Sequence, residues 1–480
     1  MQYDTSQHWP YSFTFISTIT FSQSSEKWDL KKCVDYAWAN NISIRQSILQ
    51  KDLTKLDWEQ SKSSQQPTAN FNTNLGYSAG RNQDPTSFDL TTIGYFNNNY
   101  SLQASVDLFN WFSKKNTIAM RDFNVQAATE GVEKAKNDLA LNIAVAYLQI
   151  LLAREQENLA KSKIEQTQSQ LESTRKQVAA GKLPELNAVN LEAALSADSS
   201  NLIAAQTSAQ QFLLQMKSLL NLDAGQPFDI VTPPVSLIPV ENLADLQPEA
   251  VYQLAINNMP QQKMDELNIK AALRSVEIAK AERYPTISLF GSLGTGFNNR
   301  AKEIKSATPL NLPIGNVTIG ATQYNVFPNS PINSYEFGKI GYFNQLNQNF
   351  RQSIGIGVSI PIANGGVLKT NWQRSKLNVK QAELEKEKNS FTLKQDIYKA
   401  YYDAVAAVQK YHANKKTVSS AQLAYDYAVR RYEVGLISTY DLITTQTTLQ
   451  QAKSQLLYAE YDYVFKLKLL EFYKGQGLKL

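Results

Sequence analysis

Few residues in this chain have the chemistry of a catalytic or metal site. His8 and His412 are the only histidines, and Cys33 is the only cysteine, among 480 residues. Metal sites of the zinc type and Ser/His/Asp triads need histidine or clustered cysteine. We therefore expect no enzyme, no metal site and no cofactor, and Cys33 is more consistent with a buried core residue than with a lipid anchor.

The side chains that could act on ions lie around one glycine in RRYEVGLISTYDLI, residues 430–443. Tyr432 precedes Gly435 and Asp441 follows it. An exposed Asp near a helix start is favourable to the helix dipole. Whether Asp441 has a further role depends on the elements that position it.

A second glycine, Gly181 in AAGKLPELNAV, has nearly the same setting 254 residues earlier. PTANFNTNLG at 67–76 also matches PTISLFGSLG at 285–294. The repetition predicts two diverged copies of one unit, residues 27–225 and 245–480, joined by a proline-containing linker at 226–244. The offset between the glycines also aligns Ala146 with Ala400, Tyr147 with Tyr401 and Leu195 with Leu449.

Each copy predicts the order helix, strand, strand, long helix, returning helix. Period-two alternation indicates strands at about 67–78 and 100–109, and at about 285–296 and 352–362. Glycine-poor periodic stretches predict helical hairpins at about 113–222 and 367–473, whose long helices at about 113–179 and 367–433 would each be about 100 Å long. Residues 298–349, where the second copy is longer, are predicted as a long loop.

Composition limits the class of protein. Hydrophobic residues are 43% and charged residues 19%, which is typical of neither a disordered chain nor a helical membrane protein. The net charge of +5 is small and interleaved along helices, so no nucleic-acid partner is expected. The best apolar run, 139–153, is too short to span a bilayer, so strands are the candidates for any membrane passage. Residues 1–22 contain no Lys or Arg and predict a degenerate signal or an N-terminal tail.

Aromatic residues flank the predicted strands, among them Tyr95, Tyr100, Phe109, Tyr284 and Phe350. Transmembrane barrels have alternating strands with aromatic girdles. Four strands cannot close a barrel in lipid, because open edges leave backbone groups unpaired. If these strands are transmembrane, the chain must form an oligomer.

The element order resembles the TolC-type outer-membrane efflux protein family of Gram-negative bacteria. The resemblance is carried by WDLKKCVDYAWANNIS, PTISLFGSLGTG, GVSIPIANGG and RYEVGLISTYDLITTQTTLQQAKSQLLYAE. It implies a mixed α and membrane β fold: a homotrimer whose twelve pooled strands close an outer-membrane β-barrel, continued by a long periplasmic α-helical barrel. It also implies outer-membrane lipid, a periplasmic adaptor and an inner-membrane pump of RND or ABC type as partners.

The resemblance implies a periplasmic gate at the far end of the helices, with Tyr432 and Asp441 as its residues. Three Asp441 carboxylates would form an acidic ring. Asn187 has the equivalent position in the first copy, and Thr444 stands where the family often has a second acid. Ile437 stands where some relatives have an arginine. This chain therefore lacks the second acid of a double acidic ring and the arginine of the family's salt-bridge latch.

The glycines themselves predict tight turns, because glycine adopts positive φ at the least cost. Gly181 and Gly435 are therefore structural in any interpretation, and Ser438 is placed as an N-cap. Val434 and Leu436 beside Gly435 are candidates for docking the adaptor, although they could equally pack within the hairpin.

The resemblance implies a passive exit duct for small molecules from a pump and adaptor. The alternative within the family is an exit channel for type I protein secretion. The alternative from another class is a soluble coiled-coil scaffold.

Overall fold

The computed structural model describes residues 27–83, 88–232, 238 and 241–475. The predicted N-terminal segment 1–22 lies outside the described residues, as do positions 233–237 and 239–240 of the predicted linker. The helices of the described part are α1 (Leu30–Asn40), α2 (Ile42–Ser63), α3 (Ser113–Ala179), α4 (Leu186–Leu220), α5 (Pro248–Asn258), α6 (Pro260–Ala281), α7 (Tyr342–Gln348), α8 (Val367–Glu433) and α9 (Thr439–Lys474). The strands are β1 (Thr68–Gln83), β2 (Leu90–Phe109), β3 (Thr286–Asn298), β4 (Lys302–Leu310), β5 (Gly315–Ile319), β6 (Thr322–Val326), β7 (Ile332–Lys339) and β8 (Arg351–Ser359).

The chain divides into two compact units, and each contains segments from both halves of the sequence. The first unit combines residues up to Lys51, Ala127–Asp265 and residues from Glu385 onward. The second unit combines Asp52–Gln126 with Glu266–Leu384. The first part of α3 and of α8 therefore belongs to the second unit, and the rest of each helix belongs to the first.

The first unit is helical, and its cores are apolar stripes of the long helices. In the larger core, Ile143, Tyr147 and Ile150 of α3 pack with Met216 of α4 and Cys33 of α1. A second core joins α5, α8 and α9. Long helices are stable in water only when such a stripe is covered by neighbours. Burial in this core raises the pKa of the Cys33 thiol to about 12, as expected for an unreactive core cysteine.

The described part of the linker is attached to the helices. The Trp28 amide donates to the Asp229 carbonyl (3.0 Å), and the Val231 amide donates to the Trp28 carbonyl (2.9 Å). The Tyr147 hydroxyl donates to the Val231 carbonyl (2.6 Å), and Arg154 pairs with Asp229. These contacts fix the chain where it leaves α4.

The second unit contains a four-stranded antiparallel sheet in the order β1-β2-β3-β8. β1 and β8 are its edges. β1 and β2 are longer than predicted, since their pairing continues to Gln83 and Leu90. The added part of β2 includes Asn97, Asn98 and Asn99, which have low strand propensity and gave no alternation signal.

The prediction of a long loop at 298–349 is wrong. β4 pairs with β7 and β5 pairs with β6, so Lys302–Lys339 form two antiparallel strand pairs in succession, which together we call the ribbon. Helix α7 follows, and Gln345 fixes it to the end of β3 by hydrogen bonds with the amide and carbonyl of Asn298 (both 2.9 Å). Short strands interrupted by Pro313, Pro328 and Pro331 gave too little periodicity to predict.

No helix in the described ranges is long and apolar enough to cross a membrane. The same ranges contain no group of three or more His, Cys, Asp or Glu side chains able to hold a metal ion.

Candidate functional site

The turn after α8 is closed by two backbone hydrogen bonds. The Gly435 amide donates to the Tyr432 carbonyl (3.0 Å), and the Leu436 amide donates to the Arg431 carbonyl (2.8 Å). This pair of bonds is the Schellman motif, which requires a left-handed residue after the helix. Gly435 has φ +74°.

The turn after α3 has the same pattern. The Gly181 amide donates to the Val178 carbonyl and the Lys182 amide donates to the Gln177 carbonyl, both at 2.9 Å, with φ +72° at Gly181. Apart from the glycine itself and its two chain neighbours, no heavy atom of the described residues lies within 4 Å of the position that a Cβ would take at either glycine. The backbone conformation, and not crowding, therefore makes glycine the favoured residue at both turns.

Ser438 and Asp441 form a capping box at the start of α9. The Ser438 hydroxyl accepts from the Asp441 amide (3.1 Å), while the Asp441 carboxylate accepts from the Ser438 amide (3.2 Å) and hydroxyl (2.7 Å). Both residues are exposed. The carboxylate is thus a structural cap that is also open to solvent, so the structure fits the cap interpretation and leaves its charge available.

Tyr432 is buried within one chain, with 7% of its surface exposed. Its hydroxyl lies 2.8 Å from the Thr174 hydroxyl of α3 and 3.2 Å from the Thr439 hydroxyl of α9. Its ring packs with Leu442 and other residues of α8 and α9, and Leu183 from the first turn packs against the same cluster. Tyr432 therefore joins the two helical hairpins beside the turn.

Thr174 is a residue that sequence reasoning missed. It is fully buried, yet it lies 258 residues from Tyr432 along the chain. Threonine in the middle of a polar helical stretch gives no signal of a long-range contact. Predicting this contact would have required knowing which residues of α3 lie beside which residues of α8.

A second tyrosine on α8 makes a similar contact farther from the turn. The Tyr425 hydroxyl accepts from the Gln170 side-chain amide (2.7 Å). Burial raises the pKa of Tyr425, and the bond from Gln170 opposes this shift. The rings of Tyr425 and Tyr432 line a groove of about 660 Å³ whose other wall consists mainly of Ser, Gln and Glu side chains of α3.

A buried polar layer lies next along the hairpins. The Thr167 hydroxyl donates to the Asp198 carboxylate (2.7 Å), and the Gln446 amide contacts the Thr167 hydroxyl (3.5 Å). Burial lowers the pKa of Lys163, and the Asp198 charge opposes this shift. The layer connects α3, α4 and α9 by side chains that are all nearly inaccessible to solvent.

Asn187 and Thr444 lie on α4 and α9. Asn187 is half-buried in the first turn of α4, and its amide donates to the Pro184 carbonyl (3.1 Å). Thr444 is exposed, and its carbonyl accepts from the Thr448 hydroxyl (3.0 Å). Among the described residues, the hydrogen bonds of Asp441 run to Ser438 and Thr445 and not to these two side chains.

Apolar side chains at the turns are exposed in the single chain. Val434 is 69% exposed, Leu436 67% and Tyr440 72%. Leu186 beside the other turn is also exposed. These residues are therefore not packed within the hairpin, which was one of the two interpretations of Val434 and Leu436.

The sheet of the second unit has two unlike faces. Strand register places residues opposite one another on the same face, so Phe71, Leu102 and Leu293 share one face. The apolar face also includes Leu75, Tyr77, Val106, Leu289, Ile354, Ile356 and Val358. The opposite face carries Asn70, Asn72, Asn74, Ser101, Gln103, Ser105, Ser288, Ser292, Gly355, Gly357 and Ser359.

Phe290 is the exception on the polar face, where its ring covers Gly355 and Gly357. The charged residues in the four strands are Arg81, Asp107 and Arg351. Most of the polar face is therefore amide and hydroxyl, which is a neutral surface that water can wet.

Aromatic side chains lie at two levels of the apolar face. Tyr100 contacts Tyr342 at one level (hydroxyl oxygens 2.9 Å apart), and Phe109 packs against Trp111 at the other. The nine steps from Tyr100 to Phe109 cover about 30 Å along a strand, or about 23 Å perpendicular to a membrane for a strand tilted by about 40°. The spacing of these two levels is close to the height of the apolar band of a transmembrane barrel, about 25 Å, while β1 and β2 continue beyond Tyr100 to the Tyr77–Phe96 pair.

Comparison with known proteins agrees with this geometry. The family model described as outer membrane efflux protein matches residues 34–222 and 251–476. The chain is 21% identical to toxin and drug export protein A of Aggregatibacter actinomycetemcomitans, covering 76% of this chain and 69% of the relative. It is 21% identical to outer membrane protein TolC of Escherichia coli K12, covering 94% and 82%. A crystal structure of CusC superposes with a TM-score of 0.74 at 17% identity, covering 94% of this chain and 92% of that one.

Proposed function

Since the chain belongs to the outer membrane efflux protein family, we propose that three copies close one twelve-stranded barrel in the outer membrane, continued by a periplasmic α-helical barrel. Family membership makes the protein a non-enzymatic outer-membrane channel with a periplasmic extension. It also removes the soluble coiled-coil scaffold from consideration. The trimer, and the system that the channel serves, are the proposal.

The observation that carries the proposal is the sheet with one apolar face and two open edges. In lipid, unpaired N–H and C=O groups on β1 and β8 would each be costly. Further copies remove that cost, because β8 of one chain can pair with β1 of the next and keep the antiparallel order of the sheet. The apolar face would then contact lipid, and the neutral polar face would line the water-filled interior.

The channel would act as a passive exit duct. An inner-membrane pump, of RND or ABC type, and a periplasmic adaptor would deliver small molecules to its periplasmic end. The exposed Val434 and Leu436 at the second turn are the proposed adaptor contact. Apolar side chains left exposed at a helix turn are well suited to a partner surface.

The proposed gate contains a charged part and a positioning part. Asp441 is the exposed acid whose three copies would form a ring that attracts cations at the mouth, with Asn187 and Thr444 as its neutral neighbours. Tyr432 is buried, so we assign it a positioning role: its hydroxyl bonds to Thr174 and Thr439 hold the second turn against α3. Opening would require these bonds to break or rearrange.

The assembly is tested on purified protein in detergent and in a planar lipid bilayer. We expect a trimer by native mass spectrometry and discrete conductance steps in the bilayer. A monodisperse monomer without conductance would contradict the proposal.

The adaptor contact is tested by cross-linking in cells. Gly435→Pro should weaken the cross-link to the adaptor at the second turn and leave the trimer intact, since Pro cannot adopt positive φ. Gly181→Pro is the matched control, because it changes the equivalent glycine of the first turn, where Lys182 occupies the position that Leu436 has at the second turn. Normal cross-linking of Gly435→Pro would place the adaptor contact elsewhere.

Protein secretion is the second candidate, and similarity to toxin and drug export protein A, whose name includes toxin export, supports it. Deletion of the gene separates the two. Small-molecule efflux predicts accumulation of a fluorescent dye in the deletion strain and an unchanged set of secreted proteins. Loss of a secreted protein with normal dye accumulation would favour secretion.

A further inference from the structure

The ribbon Lys302–Lys339 ends in a hairpin with unlike faces. In its outer part, Val317 is paired with Tyr324 and Ile319 with Thr322. Val317, Ile319, Tyr324 and Val326 share one face, while Asn316, Thr318, Gln323 and Asn325 share the other. Every residue of β5 and β6 is exposed in the single chain.

Both faces of this hairpin are open to solvent in the single chain, so solvent contact does not explain why one face is apolar and the other polar. A two-stranded hairpin is marginally stable by itself in water, and period-two alternation is the signature of a strand with one covered face. Ile319 is 67% exposed and Tyr324 53%. The apolar face therefore has the pattern of a covered surface without a cover in the single chain.

The part of the ribbon beyond its base also lacks charge. No Asp, Glu, Lys, Arg or His occurs from Ser306 to Tyr335, although 19% of the chain is charged. Exposed edge strands normally carry charges that prevent pairing with other chains. The absence of charge also leaves no cationic side chain in this stretch for the phosphates of a lipid or glycolipid.

The base of the ribbon lies next to an open edge of the sheet. The ribbon leaves from β3 and returns through α7 to β8, which is the edge strand. In the trimer proposed above, that edge pairs with β1 of the next copy. The ribbon is thus continuous with the proposed contact between copies, and this inference depends on that proposal.

We propose that the apolar face of the ribbon tip contacts the ribbon tips of the other two copies. Where three identical copies meet on their common axis, like residues come together, so a face without charge avoids repulsion. Four apolar side chains form too small an interface to join free chains. They suffice when the barrel already holds the copies close, because the contact is then effectively intramolecular.

The test uses single cysteines in the trimer. Cys33 is the only native cysteine and is fully buried, so the parent protein provides the background without cross-links. Ile319→Cys on the apolar face should give cross-linked dimers with a short bis-maleimide in outer-membrane vesicles. Thr318→Cys on the polar face is the matched control and should give at least fivefold less.

A charge provides the second variant. Val317→Glu in the Ile319→Cys protein should reduce the cross-link severalfold, whereas Gln323→Glu on the other face should leave it unchanged. Equal cross-linking from both faces, or none from Ile319→Cys, would overturn the inference. Protection of Ile319→Cys from a monofunctional maleimide only when lipopolysaccharide is present, without cross-links, would assign the face to glycolipid and also overturn it.

The trimer is measured in the same samples by native mass spectrometry. If no trimer forms, the proposed function fails and this inference fails with it. If the trimer forms and conducts but Ile319→Cys gives no cross-link, only the ribbon contact is refuted.

Discussion

Removing the Tyr432 hydroxyl should favour the open channel. The hydroxyl bonds Thr174 and Thr439, and both threonines are at most 1% exposed. A net intramolecular hydrogen bond contributes about 1 kcal/mol. The Thr174 hydroxyl can turn to a carbonyl one turn earlier in α3, whereas Thr439 is the first residue of α9 and has no preceding turn. Tyr432→Phe should therefore cost the closed state about 1–2 kcal/mol per chain.

If the three chains open together, the costs of the three substitutions to the closed state add. The closed trimer is then destabilised by about 3–6 kcal/mol, and every 1.4 kcal/mol is a factor of ten in an equilibrium constant. We expect the ratio of open to closed channels to rise at least about a hundredfold. The assay is the single-channel record in a planar bilayer, read as conductance and open probability.

Tyr425→Phe is the matched control, because it removes a hydroxyl that bonds Gln170 on the same pair of helices. It should lower thermal stability like Tyr432→Phe but leave the conductance unchanged, since it lies farther from the turn. Adding Thr174→Val to Tyr432→Phe should change little further, because Tyr432→Phe has already removed the bond to Thr174. A wild-type record from Tyr432→Phe, or an equal gain from Tyr425→Phe, would refute the positioning role.

Two further predictions concern stability. Gly181→Ala and Gly435→Ala should each lower the free energy of unfolding by about 1 kcal/mol, because a residue with a Cβ is disfavoured at positive φ even without steric crowding. Calorimetry of the purified protein measures both changes. No loss of stability would contradict the turn assignment. Burial raises the pKa of Glu460 above 4.5, and the nearby Glu155 adds to the shift. The folded protein therefore binds the Glu460 proton more tightly than the unfolded chain does. The stability gained from that proton is lost as the pH rises through the raised pKa. Glu460→Gln should therefore raise the melting temperature more at pH 7.5 than at pH 4.5, and an equal gain at both would show that the carboxyl titrates normally.

The long helices and their turns could be predicted because local signals specify them. α3 and α8 span the residues predicted for them, since glycine and proline are scarce between Ser113 and Ala179 and absent between Val367 and Glu433. Alternation located part of each of β1, β2, β3 and β8, but it missed the first half of β2 and continued past the end of β8 at Ser359. The ribbon could not be predicted, because its strands are short and are separated by prolines.

The gate residues show the limit of a single sequence. The motif identified Tyr432 correctly as a residue beside the turn, but only the packing of α3 against α8 shows that its side chain is buried. The spacing of Ser438 and Asp441 predicts the N-cap, and the reciprocal bond from the carboxylate follows from that spacing. How Asp441 of one copy faces that of another depends on an assembly that local sequence does not encode.

The two roles of Asp441 can be separated experimentally. Asp441→Asn removes the charge but keeps an acceptor oxygen for the Ser438 amide. Ser438→Ala removes the hydroxyl that caps α9, at a cost of about 1 kcal/mol, and keeps the charge. If three carboxylates form a ring at the mouth, the cation-to-anion permeability ratio should fall in Asp441→Asn and remain unchanged in Ser438→Ala.

Reversal potentials in a KCl gradient measure that ratio, and low salt enlarges the difference because screening is weaker. Asn187→Asp provides the opposite change, since it adds an acid at the equivalent position near the first turn and should raise cation preference. An equal loss of selectivity in Asp441→Asn and Ser438→Ala would mean that the helix start, and not the charge, determines permeation. No change in any of the three would mean that the narrow part of the channel lies away from α9.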